Sequence, residues 1–145
     1  MADDATSTLN NLIETLKDGQ KGFEAAAGDV KDANVKSTFT EFARQRAAMA
    51  AELSSHVAVA GEKPTQSGSV AGAAHRGWMN LKAALGGGEK GILNEAERGE
   101  DEAVKEYEEA LQAKLPPDVA QVVQRQYGQV KSAHDRVKAL RDSWK

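Results

Sequence analysis

The chain has 145 residues, of which 40% are hydrophobic and 28% charged, and its net charge is -3. That is the composition of a globular chain rather than a disordered one, and a domain of this length hides roughly two-thirds of its unfolded surface. Basic and acidic residues nearly balance at 19 against 22, which offers a nucleic acid no electrostatic footprint, and the lack of cysteine excludes disulfides, thiolate metal sites and cysteine nucleophiles.

The first residues, Met1-Ala2-Asp3-Asp4, are acidic and have no apolar run behind them, unlike an export signal. No stretch approaches the ~20 apolar residues of a membrane span. The expectation is a cytoplasmic protein with no membrane partner.

Helical periodicity then dominates. Leu9, Leu12, Ile13, Leu16, Gln20, Phe23 and Ala27 recur in steps of three or four, which predicts a helix over about residues 6–28. Thr6 or Ser7 could cap it, and Gly28-Asp29 could end it. Val35, Phe39, Phe42, Arg46, Met49, Leu53, Val57 and Ala60 predict a second helix over about 32–60, stopped by Gly61 and Pro64. A shorter helix is expected over about 69–85, capped by Ser67 or Ser69 and broken by Gly86-Gly87-Gly88. Ile92, Ala96, Glu100, Ala103, Tyr107 and Ala110 or Leu111 mark a helix over about 89–114. Pro116-Pro117 follows, and Pro117 suits a first helical turn, where its missing N–H costs nothing. The last series is Val119, Val122 or Val123, Gln126, Val130, Ala133, Val137, Leu140 and Trp144, over about 117–144.

No run alternates as a strand would. The expected fold class is therefore all-α, a single domain over 1–145: a four-helix bundle whose long crossover carries a short fifth helix. About 25 residues separate the second long helix from the third, enough to climb back along the bundle. One long crossover is the ferritin-like connection, whereas short loops throughout would give an up-down bundle.

Residues that interrupt the apolar stripes are the informative ones. Gln20, Arg46, Glu100 and Gln126 each stand on the central line of one long helix, with Tyr107 a turn or two beyond Glu100. At 1.5 Å per residue, Arg46 lies about 23 Å from the first turn and Glu100 about 24 Å from the Pro-Pro turn. In a bundle roughly 43 Å long, these depths fall within ~4 Å of one level. A charge on a core line is costly unless paired, so a buried Arg46–Glu100 ion pair flanked by the two glutamines is expected, and its first reading is structural.

A di-iron bundle needs a Glu from two helices and Glu-x-x-His from the other two, all pointing inward. Glu100 is the one carboxylate on a central line here, and Glu52 to His56, the nearest spacing to that motif, points Glu52 away from the core stripe. An arginine at the centre also opposes a dication. No cofactor is favoured. If iron or manganese were bound, its ligands would come from Glu24, Glu97, Glu100 and His134.

Gly86-Gly87-Gly88-Glu89-Lys90-Gly91 lacks the Gly-Lys-Ser/Thr and the preceding strand of a P-loop, so it reads as a helix break. His75-Arg76-Gly77-Trp78 reads as an anchor, with Trp78 pinning the crossover to the bundle and Gly77 allowing close approach. The three histidines, His56, His75 and His134, have no serine motif of the kind a hydrolytic triad uses.

Five segments, in order, carry a family resemblance. They are Leu9-Asn10-Asn11-Leu12-Ile13-Glu14-Thr15-Leu16-Lys17-Asp18-Gly19 with Gly22-Phe23; Gly68-Ser69-Val70-Ala71-Gly72; His75-Arg76-Gly77-Trp78 with Leu81-Lys82; Glu95-Ala96-Glu97-Arg98-Gly99-Glu100 with Tyr107; and His134-Asp135-Arg136-Val137 with Leu140-Arg141. Together they resemble the DUF2383 family of bacterial four-helix-bundle proteins, over about residues 9–142. The resemblance implies a ferritin-like fold and brings no activity with it. Ferritin-like relatives often bind iron or manganese, whose ligand pattern this chain departs from.

The functional expectation is a non-catalytic interaction or stress-associated bundle with a buried Arg–Glu layer, its protein partner unknown. The alternative is a di-metal protein or oxidoreductase binding iron or manganese. Homodimerisation is a further option, suggested by Trp144 at the very end.

Overall fold

The computed structural model describes residues 3–64, 78 and 80–144, and every regular element among them is a helix. In chain order these are α1 (Asp3–Asp29), α2 (Ala33–Val59), α3 (Leu81–Ala84), α4 (Glu89–Leu111) and α5 (Pro117–Ser143). The four long helices pack as a bundle in which α1 lies against α2 and α4, and α4 against α5. No helix among the described residues is long and apolar enough to cross a membrane.

Three boundaries differ from the periodicity reading, each for a local reason. Helix α1 takes in Thr6 and Ser7 rather than being capped by them, because the extra turn buries Ala5. Helix α4 stops at Leu111, where the Gln112 N–H turns back to Glu109 O and the Ala113 N–H to Ala110 O. The chain must then reach Pro116, whose ring pushes the residue before it out of helical backbone. Where a short helix is expected over 69–85, the described residues hold the single turn α3, and Ser67, Ser69 and His75 to Gly77 lie outside the described residues.

Side-chain caps hold the turn between α1 and α2. Asp32 Oδ1 accepts from Val35 N at 2.9 Å and caps α2. Glu89, in the first turn of α4, takes Lys31 N at 2.7 Å and Asp32 N at 3.1 Å on its two oxygens. Asp29 Oδ2 accepts from Gly86 N at 2.8 Å. Gly86 and Gly88, at φ of 82° and 97°, supply the left-handed backbone that leads from α3 into α4. The start of α4 is thereby fastened to the α1–α2 turn. Beyond α2, Lys63 O is held by Asn10 Nδ2 of α1 at 3.3 Å.

The apolar core forms two clusters. One gathers Leu9, Leu12, Leu16, Met49, Leu53, Ala103 and Val123. The other gathers Phe23, Phe39, Trp78, Ile92, Leu93 and Val137, with Trp144 half-buried against it. Along α1, α2 and α4 the break between them falls between Leu16 and Phe23, Ala43 and Met49, and Ala96 and Ala103. Gly19, Arg46 and Glu100 sit in those three gaps.

Trp78 is buried against the bundle, where two glycines of the long helices admit it. A Cβ on Gly22 would come 2.4 Å from the indole, and one on Gly99 would come 2.2 Å from it. The ring also meets Phe23 edge-on, with centroids 5.0 Å apart. Two glycines on neighbouring helices thus form the socket for one tryptophan.

Candidate functional site: a buried polar layer and an edge cluster

Arg46 and Glu100 meet where the two core clusters divide. Arg46 Nη2 lies 2.5 Å from Glu100 Oε2, and the side chains are 2% and 0% exposed. Three further features accommodate the guanidinium. Gly19 leaves room for it, since a Cβ there would stand 3.1 Å from Nη1. The Phe23 ring lies under it, with Arg46 Cζ 5.4 Å from the centroid, a cation–π distance. The stem is sealed in the core. The other oxygen, Glu100 Oε1, is buried and accepts no hydrogen bond among the described residues.

A second set of polar groups lies towards the Leu9 cluster. Tyr107 Oη donates to Gln126 Oε1 at 2.7 Å, and both residues are fully buried. Gln126 Nε2 donates to Glu52 Oε1 at 2.8 Å and to Met49 O at 3.2 Å. Burial pushes the Tyr107 phenol far above its usual range, so its proton stays in place to donate. Burial also raises Glu52, but the hydrogen bonds from Gln126 and Arg125 outweigh it and hold the carboxyl below its ordinary value.

Gln20 is not part of this layer. It is half-buried and its Nε2 donates at 3.4 Å to Glu24, an exposed residue. The inward positions of that turn are Asp18 and Gly19, because the space a glutamine would need is filled by Arg46. Glu52, which the stripe reading turns away from the core, reaches in at its edge.

The metal candidates separate. Glu24 stands on the α1–α2 face beside Thr40 and Arg44. Glu100 is taken by Arg46. Glu97 and His134 do meet, at the seam of α4 and α5, and Asp101 joins them: one ligand atom from each lies within 4.8 Å of the others. His134 Nε2 is 2.6 Å from Asp101 Oδ1, and its Nδ1 is 3.1 Å from Asp135 Oδ1. Burial alone would lower the imidazole, but the hydrogen bonds to Asp135 and Asp101 outweigh it and raise its pKa. Arg141 Nη1 forms an ion pair with Glu97 Oε2.

The sequence profile of a domain of unknown function, DUF2383, matches residues 4–113. The chain belongs to the DUF2383 family. No match was found among curated proteins. The DUF2383 match includes Arg46, Glu100 and Tyr107 of the layer and Glu97 and Asp101 of the edge cluster. It ends before α5, which supplies Gln126 and His134.

Several buried or clustered polar residues of this DUF2383 chain escape the stripe reading, Thr15 and Glu52 among them. Asp18 and Glu95 are both buried, beside rather than on the central lines. Glu95 Oε2 accepts from Asn80 N at 2.7 Å and so ties α4 to the foot of α3. Asp101 carries one legible signal, its i,i+4 spacing from Glu97, which puts both on one helix face.

Proposed function

We propose that this DUF2383 protein is a non-catalytic bundle that acts by binding a protein partner, and that its buried polar layer fixes how the helices pair. The observation that carries this reading is the Arg46–Glu100 pair itself. The most functional-looking groups of the core are engaged with one another at 2% and 0% exposure. The open clefts beside α1 and α4, α2 and α5, and α1 and α2 are lined by other residues. A buried charged pair of this kind specifies register more readily than it adds stability.

The ferritin-like connection belongs to the same reading. Its support is that Glu89 bonds to the α1–α2 turn while Lys63, past the end of α2, bonds to Asn10 near the start of α1. Helix α4 then sets off from the same end of the bundle as α2, as a ferritin-like connection requires. A cytoplasmic, stress-associated role follows from that kinship. A deletion strain more sensitive to peroxide would support the stress role, and unchanged survival would count against it.

A di-metal centre in the middle of the bundle does not fit these residues. Glu100 offers one oxygen without a partner among the described residues, but the guanidinium of Arg46 holds the other, and a cation beside it would be repelled. The only group of three ligand-bearing residues that converges among the described residues is at the α4–α5 seam, not at the centre. Metal analysis of untagged protein grown with added iron and manganese tests the reading. Less than about a tenth of an equivalent of either metal is expected at the centre. Stoichiometric iron or manganese that disappears in Glu100→Gln would overturn it.

A further inference from the structure

We propose that Glu97, Asp101 and His134 form a binding site for a single divalent first-row transition cation, with zinc as the probe of choice. The proposal concerns the α4–α5 seam and does not rest on the role of the central layer.

Glu97 and Asp101 lie four residues apart on α4 and so share a face. His134 reaches them from the facing helix α5. One donor atom from each falls within 4.8 Å of the other two. A cation held at about 2.0–2.2 Å from each would draw the donors to roughly 3.5 Å apart, a change within reach of side-chain rotation. The helices need not move.

Imidazole with two carboxylates is a mixed nitrogen and oxygen set. Calcium and magnesium take oxygen ligands, whereas an imidazole donor turns the preference to zinc and its neighbours. The imidazole is also oriented from behind. Asp135 Oδ1, outside the three donors, stands 3.1 Å from His134 Nδ1, which turns Nε2 toward Asp101. A carboxylate behind a ligating histidine fixes its tautomer and raises its basicity. The His134 side chain is 13% exposed and Asp101 58% exposed, so the imidazole is shielded while one side of the site stays open to water. That leaves room for a solvent molecule as a fourth ligand.

Arg141 is the competitor. It pairs with Glu97 and must release it when the cation enters. The site is therefore weaker than its donor set alone would make it, and removing Arg141 should strengthen it.

Zinc chloride titrated calorimetrically into the full chain, untagged and chelator-treated, tests this. One zinc per chain is expected. His134→Ala and Asp101→Asn should each weaken binding by about tenfold or more, and Asp135→Asn, which keeps all three donors, by about tenfold. Arg141→Ala should tighten binding, and Glu24→Gln, on the other face, should leave it unchanged. Helicity by circular dichroism accompanies each variant, and Asp135→Asn and Arg141→Ala decide the matter if His134→Ala does not fold. Binding absent up to about millimolar zinc, or as tight in His134→Ala and Asp135→Asn as in the wild type, would mean an adventitious ion only and would overturn the proposal.

Discussion

Arg46 of α2 and Glu100 of α4 stand 2.5 Å apart at the boundary between the two apolar clusters, beneath a glycine and above a phenylalanine ring. The surroundings are fitted to the pair: Gly19 yields the space, Phe23 faces the cation, and Met49 and Ala43 close α2 on either side. The pair stands in place of apolar layers that could slide past one another.

Removing one partner leaves the other charge buried. Arg46→Met should therefore lower the unfolding free energy by ~3–5 kcal/mol in urea denaturation. Replacing both, in Arg46→Met with Glu100→Leu, should return stability to wild type or raise it by ~1–4 kcal/mol. An Arg46→Met variant as stable as wild type would show that the pair contributes nothing.

Arg46 and Glu100 are legible because each interrupts an apolar series at helical spacing, where a charge has no cheap explanation. Gln20 is misplaced by the same logic. The position that faces the core there is Gly19, and a glycine has no side chain with which to announce itself. Its inward place depends on Arg46 from another helix filling the space. Glu52 and Asp101 are hidden for a related reason: they flank the stripes, and whether a flanking residue reaches a partner depends on how two helices rotate against each other. Four helices and their turns were open to periodicity, since burial of one face and the Gly and Pro breaks are local signals. The socket for Trp78 was not, because Gly22 and Gly99 meet only in the packed bundle.

That socket leads to a second expectation. Gly99→Ala would set a methyl 2.2 Å from the Trp78 indole, and Gly22→Ala one 2.4 Å from it. Overpacking of this kind should destabilise by about 1–3 kcal/mol. In a Trp144→Phe background, where Trp78 is the remaining tryptophan, its emission should shift to the red as the ring is displaced. Gly28→Ala is the control: nothing lies within 4 Å of its Cβ, and in a helix the change should add about 0.5–1 kcal/mol. Unaltered emission and stability in Gly99→Ala would refute the socket.

Tyr107→Phe isolates the other half of the layer. It keeps the ring and removes the donor that Gln126 Oε1 uses at 2.7 Å. A buried amide oxygen left without its partner should cost about 1–3 kcal/mol in thermal or urea unfolding. Gln126→Leu alone should destabilise as well, since it strands the Tyr107 hydroxyl. The double variant should lose less than the sum of the two single changes, which is the mark of a coupled pair. Additive losses would place the two groups outside each other's reach.

Acid should reveal Glu52. Burial favours its neutral form, but the hydrogen bonds from Gln126 and Arg125 favour the carboxylate more, so its folded-state pKa lies below the ordinary 4.5. A depressed pKa means that the folded state binds the proton less readily than the unfolded one. The resulting stability is complete above about pH 4.5 and drains away as pH falls through the folded-state value. Glu52→Gln keeps an acceptor for Gln126 but cannot ionise. It should be less stable than wild type at pH 7, and the gap should narrow steadily between pH 5 and pH 3 in unfolding curves taken at each pH. If the gap stayed constant across that range, the carboxylate of Glu52 would not be what Arg125 and Gln126 stabilise.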